Sequence, residues 1–467
     1  MATLGSYTKW ISGGTPAKDV PSFWGGDIPW ISASSMYGFR LSESDKTITD
    51  SGLAAGSRLA PQGATLLLVR GSMLHHRIPM GIAVRPVAFN QDVKAILPDA
   101  SVDPWFLHYW LRAMEPKLLS MVDFTGIGAG KLDTFSLQQL EFEVPSLQEQ
   151  QRRYQLVKAL DDKIELNRRI CATLEEMARA IFRSWFVDFD PVRAKVAAIA
   201  EGRDPERAAM AAISGKSEED LDSLPPEALA SLRATAALFP HTFEESELGE
   251  TPLGWPAKRV DEISQKVGMG PFGSNIKVST FVESGVPVIS GKHLNQTLLE
   301  DTSYNFVTEP HAARLENSCV GPGDLVFTHA GNIGQASFIP EDSEYQRYIL
   351  SQRQFFLRPD VKTAPGTFLI YFFRSPEGQH KLLSAASQVG VPSIARPVTH
   401  LRSITLRLPT LPLLQVFDRL VGPLHSLISL KRSESETLAT LRDTLLPKLL
   451  SGELLISEAA QEEVVLA

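Results

Sequence analysis

Two kinds of apolar pattern alternate along this chain of 467 residues, and the alternation happens twice. Short β-branched and Leu-rich runs broken by Gly and Pro come first, such as ATLLLVRG (64–71), with one apolar helical patch, PWFLHYWLRAM (104–114). The same texture returns later in GDLVFTHAG (323–331) and QFFLRPD (354–360), with its own helical patch TFLIYFFRS (367–375). Runs of this length bounded by turn residues predict strands, so each region reads as a compact mixed α/β domain. After each comes a long helix, opened by PSLQEQQ (145–151) and by PTLPLLQ (409–415), where Pro and Ser/Thr mark the start.

The helices have a measurable period. Steps of three and four from Val157 reach Leu160, Ile164, Asn167, Cys171, Leu174, Ala178, Ile181 and Trp185, of which eight in nine are apolar or Cys. The same register gives Val421, Leu424, Ile428, Lys431, Ser435, Leu438, Arg442, Leu445 and Leu449, six in nine apolar. A sustained 3.5-residue repeat predicts helices wound on each other as a coiled coil, with Asn167 and Lys431 at equivalent seam positions. Forty helical residues make a rod of roughly 60 Å, enough to space two DNA half-sites if the domains read DNA.

The two regions are copies. Pro29, Ile31 and Ser32 match Pro287, Ile289 and Ser290 at an offset of 258, and Gly63 matches Gly323 at 260. Gln91, Pro98 and Asp99 match Gln352, Pro359 and Asp360 at 261; Leu107, Tyr109 and Arg112 match Leu369, Tyr371 and Arg374 at 262. Gly126, Pro145, Leu147, Ile164, Thr173 and Leu174 match Gly390, Pro409, Leu411, Ile428, Thr437 and Leu438 at 264. An ordered set of matches whose offset only creeps upward is the mark of duplication with small insertions.

Charge refines this picture without deciding it. The formal net charge is -8, yet residues 1–140 hold 12 Lys+Arg against 11 Asp+Glu, and residues 256–400 hold 13 against 13. The acidity sits in residues 141–255, with 14 against 22, including the Ala-rich stretch after VDFDPVRAK; residues 401–467 hold 7 against 8. Near-neutral domains can still present a local basic face to phosphates. Two cysteines, Cys171 and Cys319, make no disulfide framework and read as structural thiols. No run of about eighteen apolar residues appears and the N-terminus lacks a signal pattern, so a cytoplasmic protein without a membrane span is expected.

Catalytic motifs are wanting. TGIGAGK (125–131) has Thr where a phosphate-cradling loop needs its first Gly, and Leu132 where that loop needs Ser or Thr. No N-P-P-[FY] tetrapeptide and no glycine-rich strand-to-helix turn for a methyl donor is present. His75 and His76 adjoin each other and lack the i, i+4 spacing of a zinc helix.

Together GGTPAKDVPSFWGGDIPWIS (13–32), the PSLQEQ helix start, RAIFRSWFVDFDPVRAK (179–195), SELGETPLGW (246–255), GPFGSNIK (270–277) and DTLLPKLLSGEL (443–454) resemble the specificity subunit of type I restriction-modification systems over essentially the whole chain. The resemblance implies a mixed α/β fold class. Two similar target-recognition domains are separated by two long antiparallel coiled-coil helices, with a pseudo-twofold internal repeat. The expected boundaries are recognition domain one at 1–145, helix one at 146–187, an acidic Ala-rich connector at 188–247, recognition domain two at 248–409, helix two at 410–452 and a tail at 453–467. It further implies a chain that is not an enzyme, in which each domain reads one half of a bipartite asymmetric DNA sequence. The helices dock two methylation subunits, and restriction/translocase subunits join the complex. No cofactor is expected on this chain; S-adenosylmethionine, ATP and Mg belong to the partner subunits. The second helix start lacks the Glu-Gln of the first, which leaves its docking surface less matched. The alternative from another class is a non-enzymatic two-headed adaptor that binds proteins rather than DNA.

Donor-bearing loop residues are the candidates for contact with double-stranded DNA. In the first domain these are Ser34, Ser35, Arg70, Ser72, His75, His76 and Arg77, with Lys131 on phosphate. In the second they are Ser274, Asn275, Lys277, Lys292, His293, Asn295, His329, Asn332 and Arg396. The ordinary reading of each is a solvated loop residue.

Overall fold

The computed structural model describes residues 2–125, 128–273, 275–387 and 390–454. Contacts divide the chain into two compact units, residues 1–166 with 434–467 and residues 167–433, so each unit holds one globular head and half of each long helix.

In the first unit, strands Thr8–Ser12, Val93–Pro98, Thr65–Leu68 and Met80–Ala83 form an antiparallel sheet that Arg40–Leu41 extends in parallel at one edge. A second sheet runs Thr47–Ile48, Trp24–Ile31, Val87–Phe89, Leu59–Ala60, with its central pair parallel and Trp30 opposite Ala88. The second unit repeats both. Ser264–Met269, Gln354–Pro359, Leu325–Thr328 and Ala336–Phe338 make the antiparallel sheet. Asn305–Val307, Val286–Ile289, Tyr348–Leu350 and Cys319–Val320 make the other, again with a parallel central pair, Val288 opposite Ile349.

Local chemistry explains the repeated pieces. Both heads drive an x-Pro-x-Ile-Ser strand into the core, where Ile31 and Ile289 are fully buried. Both strands end in a 3₁₀ turn whose third residue caps the chain: Ser32 N–H donates to Ser35 Oγ at 2.9 Å, and Ser290 N–H donates to His293 Nδ1 at 2.9 Å. Gly63 and Gly323 both sit at φ 86°, a left-handed turn that a side chain would strain before the central strand. The apolar patches are helices Pro104–Ala113 and Gly366–Arg374; Asp103 accepts from Trp105 N–H at 2.8 Å to cap the first. Phe106, Leu107, Tyr109 and Leu111 are buried in it, each side chain worth about 1.5–3 kcal/mol of transfer free energy.

The long helices span Leu147–Phe186 and Leu411–Ser451. They run antiparallel: Arg153 donates to the Leu450 carbonyl at 3.0 Å in the first unit, and Cys171 Sγ lies 3.8 Å from the Ile428 carbonyl in the second. The latter register carries Asn167 and Lys431 to one level, a turn further on. Of the seam, Val157, Leu160, Asn167, Val421 and Ile428 are buried, while Ile164, Leu174, Ile181, Leu424, Lys431, Leu438 and Leu445 are half-buried.

The seam is not a pure coiled coil. Toward its ends the apolar stripe is absorbed by the heads: Tyr154, Val157, Leu446, Leu449 and Leu450 join the first head's core, and Phe182, Trp185, Phe417 and Val421 join the second's. Phe186 sits edge-on to Phe368 and Phe417, each at 5.2 Å between centroids.

The segment between the copies folds into helices Asp190–Ala200, Pro205–Ser214 and Pro226–Ala236 within the second unit. These helices have a small core of their own in Ala209, Met210, Leu221 and Ala236. Phe189 and Phe239 tie the segment to the head's core, so it is a packed lobe rather than a loose connector.

Candidate nucleic-acid interface

In the first head, a three-stranded sheet of Arg70–Gly71, Asp123–Thr125 and Ala129–Lys131 gathers several candidates that are far apart in sequence. Arg70 and Lys131 are directly paired across it and both exposed. The turn Ser72–His75 follows, anchored by buried Leu74, and leaves Ser72, His75, His76 and Arg77 at the surface. Ser34 is exposed at the end of the x-Pro-x-Ile-Ser strand, and Ser35, half-buried, spends its hydroxyl on the cap described above. Gly126, part of the TGIGAGK stretch, lies outside the described residues.

The second head builds the matching hairpin from Ala386–Ser387 and Ser393–Ile394, with Ala330 bridged to Ser393 where the first head pairs Arg70 with Lys131. The scaffold is the same and its side chains are not. Lys277, Lys292, Asn332 and Arg396 are exposed, and Arg396 holds a left-handed φ of 46° ahead of Pro397. Asn275 and Asn295 are exposed but use their amides locally, on the Phe272 carbonyl at 2.6 Å and the Lys292 carbonyl at 2.8 Å. Ser274 lies outside the described residues.

His293, expected at the surface, is instead buried: it is 1% exposed, its Nδ1 accepts from Ser290 N–H and its ring packs on Tyr304 at 4.4 Å, so the side chain is turned into the head. Burial, with Lys292 alongside, lowers its pKa to about 4. His329 is half-buried with Nε2 3.1 Å from the Gln352 carbonyl, and desolvation holds it below the usual imidazole range.

Two residues that periodicity did not single out, Asp161 and His425, join each head to the helices. Asp161, fully buried, accepts from Arg442 at 2.8 Å with one oxygen, and from Arg112 at 2.8 Å and Tyr109 Oη at 3.0 Å with the other. At the repeat-equivalent place in the second unit, His425 Nε2 meets Tyr371 Oη at 2.9 Å. Also in that unit, a groove of about 980 Å³ lies between Arg179 and Arg183 of the first long helix and Asn295, Asn332 and Gln335 of the head. Its charge is largely spent: Arg179 pairs with Glu175 and Glu176, and Arg183 with Asp188.

Cys171 and Cys319 are free thiols, half-buried and buried. Among the described residues no cluster of His, Cys, Asp and Glu could hold a metal ion, and no helix is long and apolar enough to cross a membrane.

Residues 2–176 match the family model described as type I restriction modification DNA specificity domain. The type I restriction enzyme HindI specificity subunit of Haemophilus influenzae is 30% identical over 375 residues, covering 77% of this chain and 79% of the relative. The MjaIX specificity subunit of Methanocaldococcus jannaschii is 24% identical over 471 residues, 96% and 91% of the two chains. Among solved structures, the S subunit of a type I restriction-modification system from M. genitalium covers 96% of this chain and 94% of its own at 16% identity, with a TM-score of 0.47.

Proposed function

Since this chain belongs to the specificity subunits of type I restriction enzymes, we propose that it is the non-catalytic DNA reader of such a complex, with each head reading one half of a bipartite, asymmetric target. One observation carries the reading: a single scaffold is built twice and armed differently, Arg70 with Lys131 in one head and Ala330 with Ser393 in the other. Identical folds with unlike contact residues suit two unlike half-sites, because sequence is read by side chains at base edges while the scaffold sets their approach.

Methyl transfer and cleavage belong, on this reading, to partners. Two methylation subunits carrying S-adenosylmethionine dock on the long helices, and translocating restriction subunits using ATP and Mg join them. The sequence supports this by lacking phosphate-loop and methyl-donor motifs. The family membership disfavours a protein-binding adaptor, which would have no use for two differently armed DNA heads.

Selection from a random duplex pool, with the chain assembled on its methylation subunits, tests the proposal. The expected result is a target of two specified blocks. Lys277→Ala with Lys292→Ala relaxes one block, and Arg70→Ala with Lys131→Ala relaxes the other. Equal loss at both blocks from either pair, or no enrichment at all, refutes it.

A further inference from the structure

In the first head one of the exposed aromatic rings has a second ring stacked behind it. Phe124, in the strand Asp123–Thr125, is 59% exposed. The His75 imidazole stacks on it with centroids 4.5 Å apart and planes 18° from parallel. His75 is itself held by Nε2 at 3.0 Å from the Gly128 carbonyl.

The surroundings keep this ring bare. Gly130 lies opposite Phe124 in register and Gly71 opposite Gly130, so no side chain flanks the ring across the sheet. A Cβ at Gly130 would come within 2.8 Å of Val122 and 2.9 Å of Leu74, which ties this strand closely to the core. Arg70 and Lys131, with Asp123 opposite Lys131, project from the other face, because successive strand residues point to opposite sides.

A single exposed apolar side chain needs no account. A braced ring on a glycine floor, with paired cations on the reverse of the same sheet, has the two halves of a wedge: cations for phosphates and an apolar blade for a base step. Arg70 and Lys131 against Asp123 leave one positive charge in excess on that face, which favours a nucleic-acid occupant over an apolar protein surface. We infer that Phe124, backed by His75, inserts between two base pairs of the DNA bound by the first head and unstacks them. That head then reads how readily one step opens, in addition to the base edges. The strands of the second head's matching hairpin carry no aromatic, so this hairpin arrangement is not repeated there.

This inference rests on the DNA-reading function proposed above, and its test separates the two. The full chain, assembled with its methylation subunits, is bound to duplexes that carry the selected target with 2-aminopurine at successive positions of the first block. The wild-type chain brightens one step. Phe124→Ala abolishes the brightening and weakens binding by about tenfold to a hundredfold, while the footprint over the second block stays. His75→Ala gives a smaller loss of brightening. Thermal unfolding checks that the variants fold; should Phe124→Ala fail, Phe124→Gln replaces it with the same expected loss. Sequence-dependent binding with no bright step, or with brightening unchanged in the variant, overturns the wedge alone. Absence of sequence-dependent binding by the wild-type complex overturns the wedge and the DNA reading together.

Discussion

Replacement of Asp161 by Asn probes the joint between head and helices in the first unit. Its carboxylate, carried on the first long helix, is fully buried and holds two residues of the head, Arg112 and Tyr109, and one of the second long helix, Arg442. Asn keeps the shape and removes the charge, leaving Arg112 and Arg442, only 17% and 15% exposed, without their shared counter-ion. Breaking a buried pair from one side costs about 3–5 kcal/mol. Arg442 retains Asp443 at 2.7 Å, and Arg112 lies over the Tyr109 ring at 5.8 Å, which places the expected loss near the lower end, about 3 kcal/mol. For a unit of this size that lowers the melting temperature by about 6–12 °C. Tyr109→Phe, which removes one hydrogen bond and no charge, should cost only about 1 kcal/mol. Hydrogen exchange read by mass spectrometry supplies the assay. Asp161→Asn should speed exchange in Pro104–Ala113 and in the first half of the Leu147–Phe186 helix, and leave Gln354–Pro359 unchanged. A loss below about 1 kcal/mol would show that both arginines are solvated, and the reasoning from burial would fail.

Three further expectations are independent of that joint. Burial holds His108, His293 and His425 below the free imidazole pKa, the last two to about 4, so the unfolded chain takes up protons first as pH falls. The histidine contribution to stability is therefore flat above about pH 6.5 and lost below it, by up to about 1.4 kcal/mol per pH unit per histidine; urea midpoints between about pH 4 and 7 check it, and His425→Gln should flatten the slope. Gly13→Ala should destabilise the first head by more than about 2 kcal/mol, since a Cβ there would lie 2.2 Å from the Asn90 carbonyl and 2.3 Å from that of Phe89; thermal melting measures this. Lys131→Ala should weaken DNA binding and reduce the salt slope by about 1, as loss of a phosphate contact does; an unchanged slope would remove Lys131 from the interface.

The duplication and the helix seam were legible because both are periodic. The match of Pro29, Ile31 and Ser32 with Pro287, Ile289 and Ser290 marks strands that pair in parallel at equivalent places in equivalent sheets. Buried seam positions such as Leu160 and Asn167 were legible because a heptad pattern counts along the chain. What counting along the chain cannot give is the pairing of distant strands. Arg70 meets Lys131 only once the hairpin closes, and Phe124 gains meaning only from His75 and Gly130 beside it. Polarity alone also misplaced His293: a histidine in a Gly-Lys-rich loop reads as a surface donor, whereas its ring is the cap of the turn. The connector's small core escaped notice because Ala and Met at helical spacing in an acidic stretch give a weak apolar signal.

The central claim, that two differently armed copies of one scaffold aim chemistry performed by other subunits, is tested most directly by mapping methylated bases genome-wide in cells that carry or lack this chain. The account predicts a motif of two unlike blocks separated by unspecified bases. That motif should vanish on deletion and lose only its second block when Lys277 and Lys292 become Ala. A palindromic or single-block motif, or a methylation map indifferent to deletion, would contradict it.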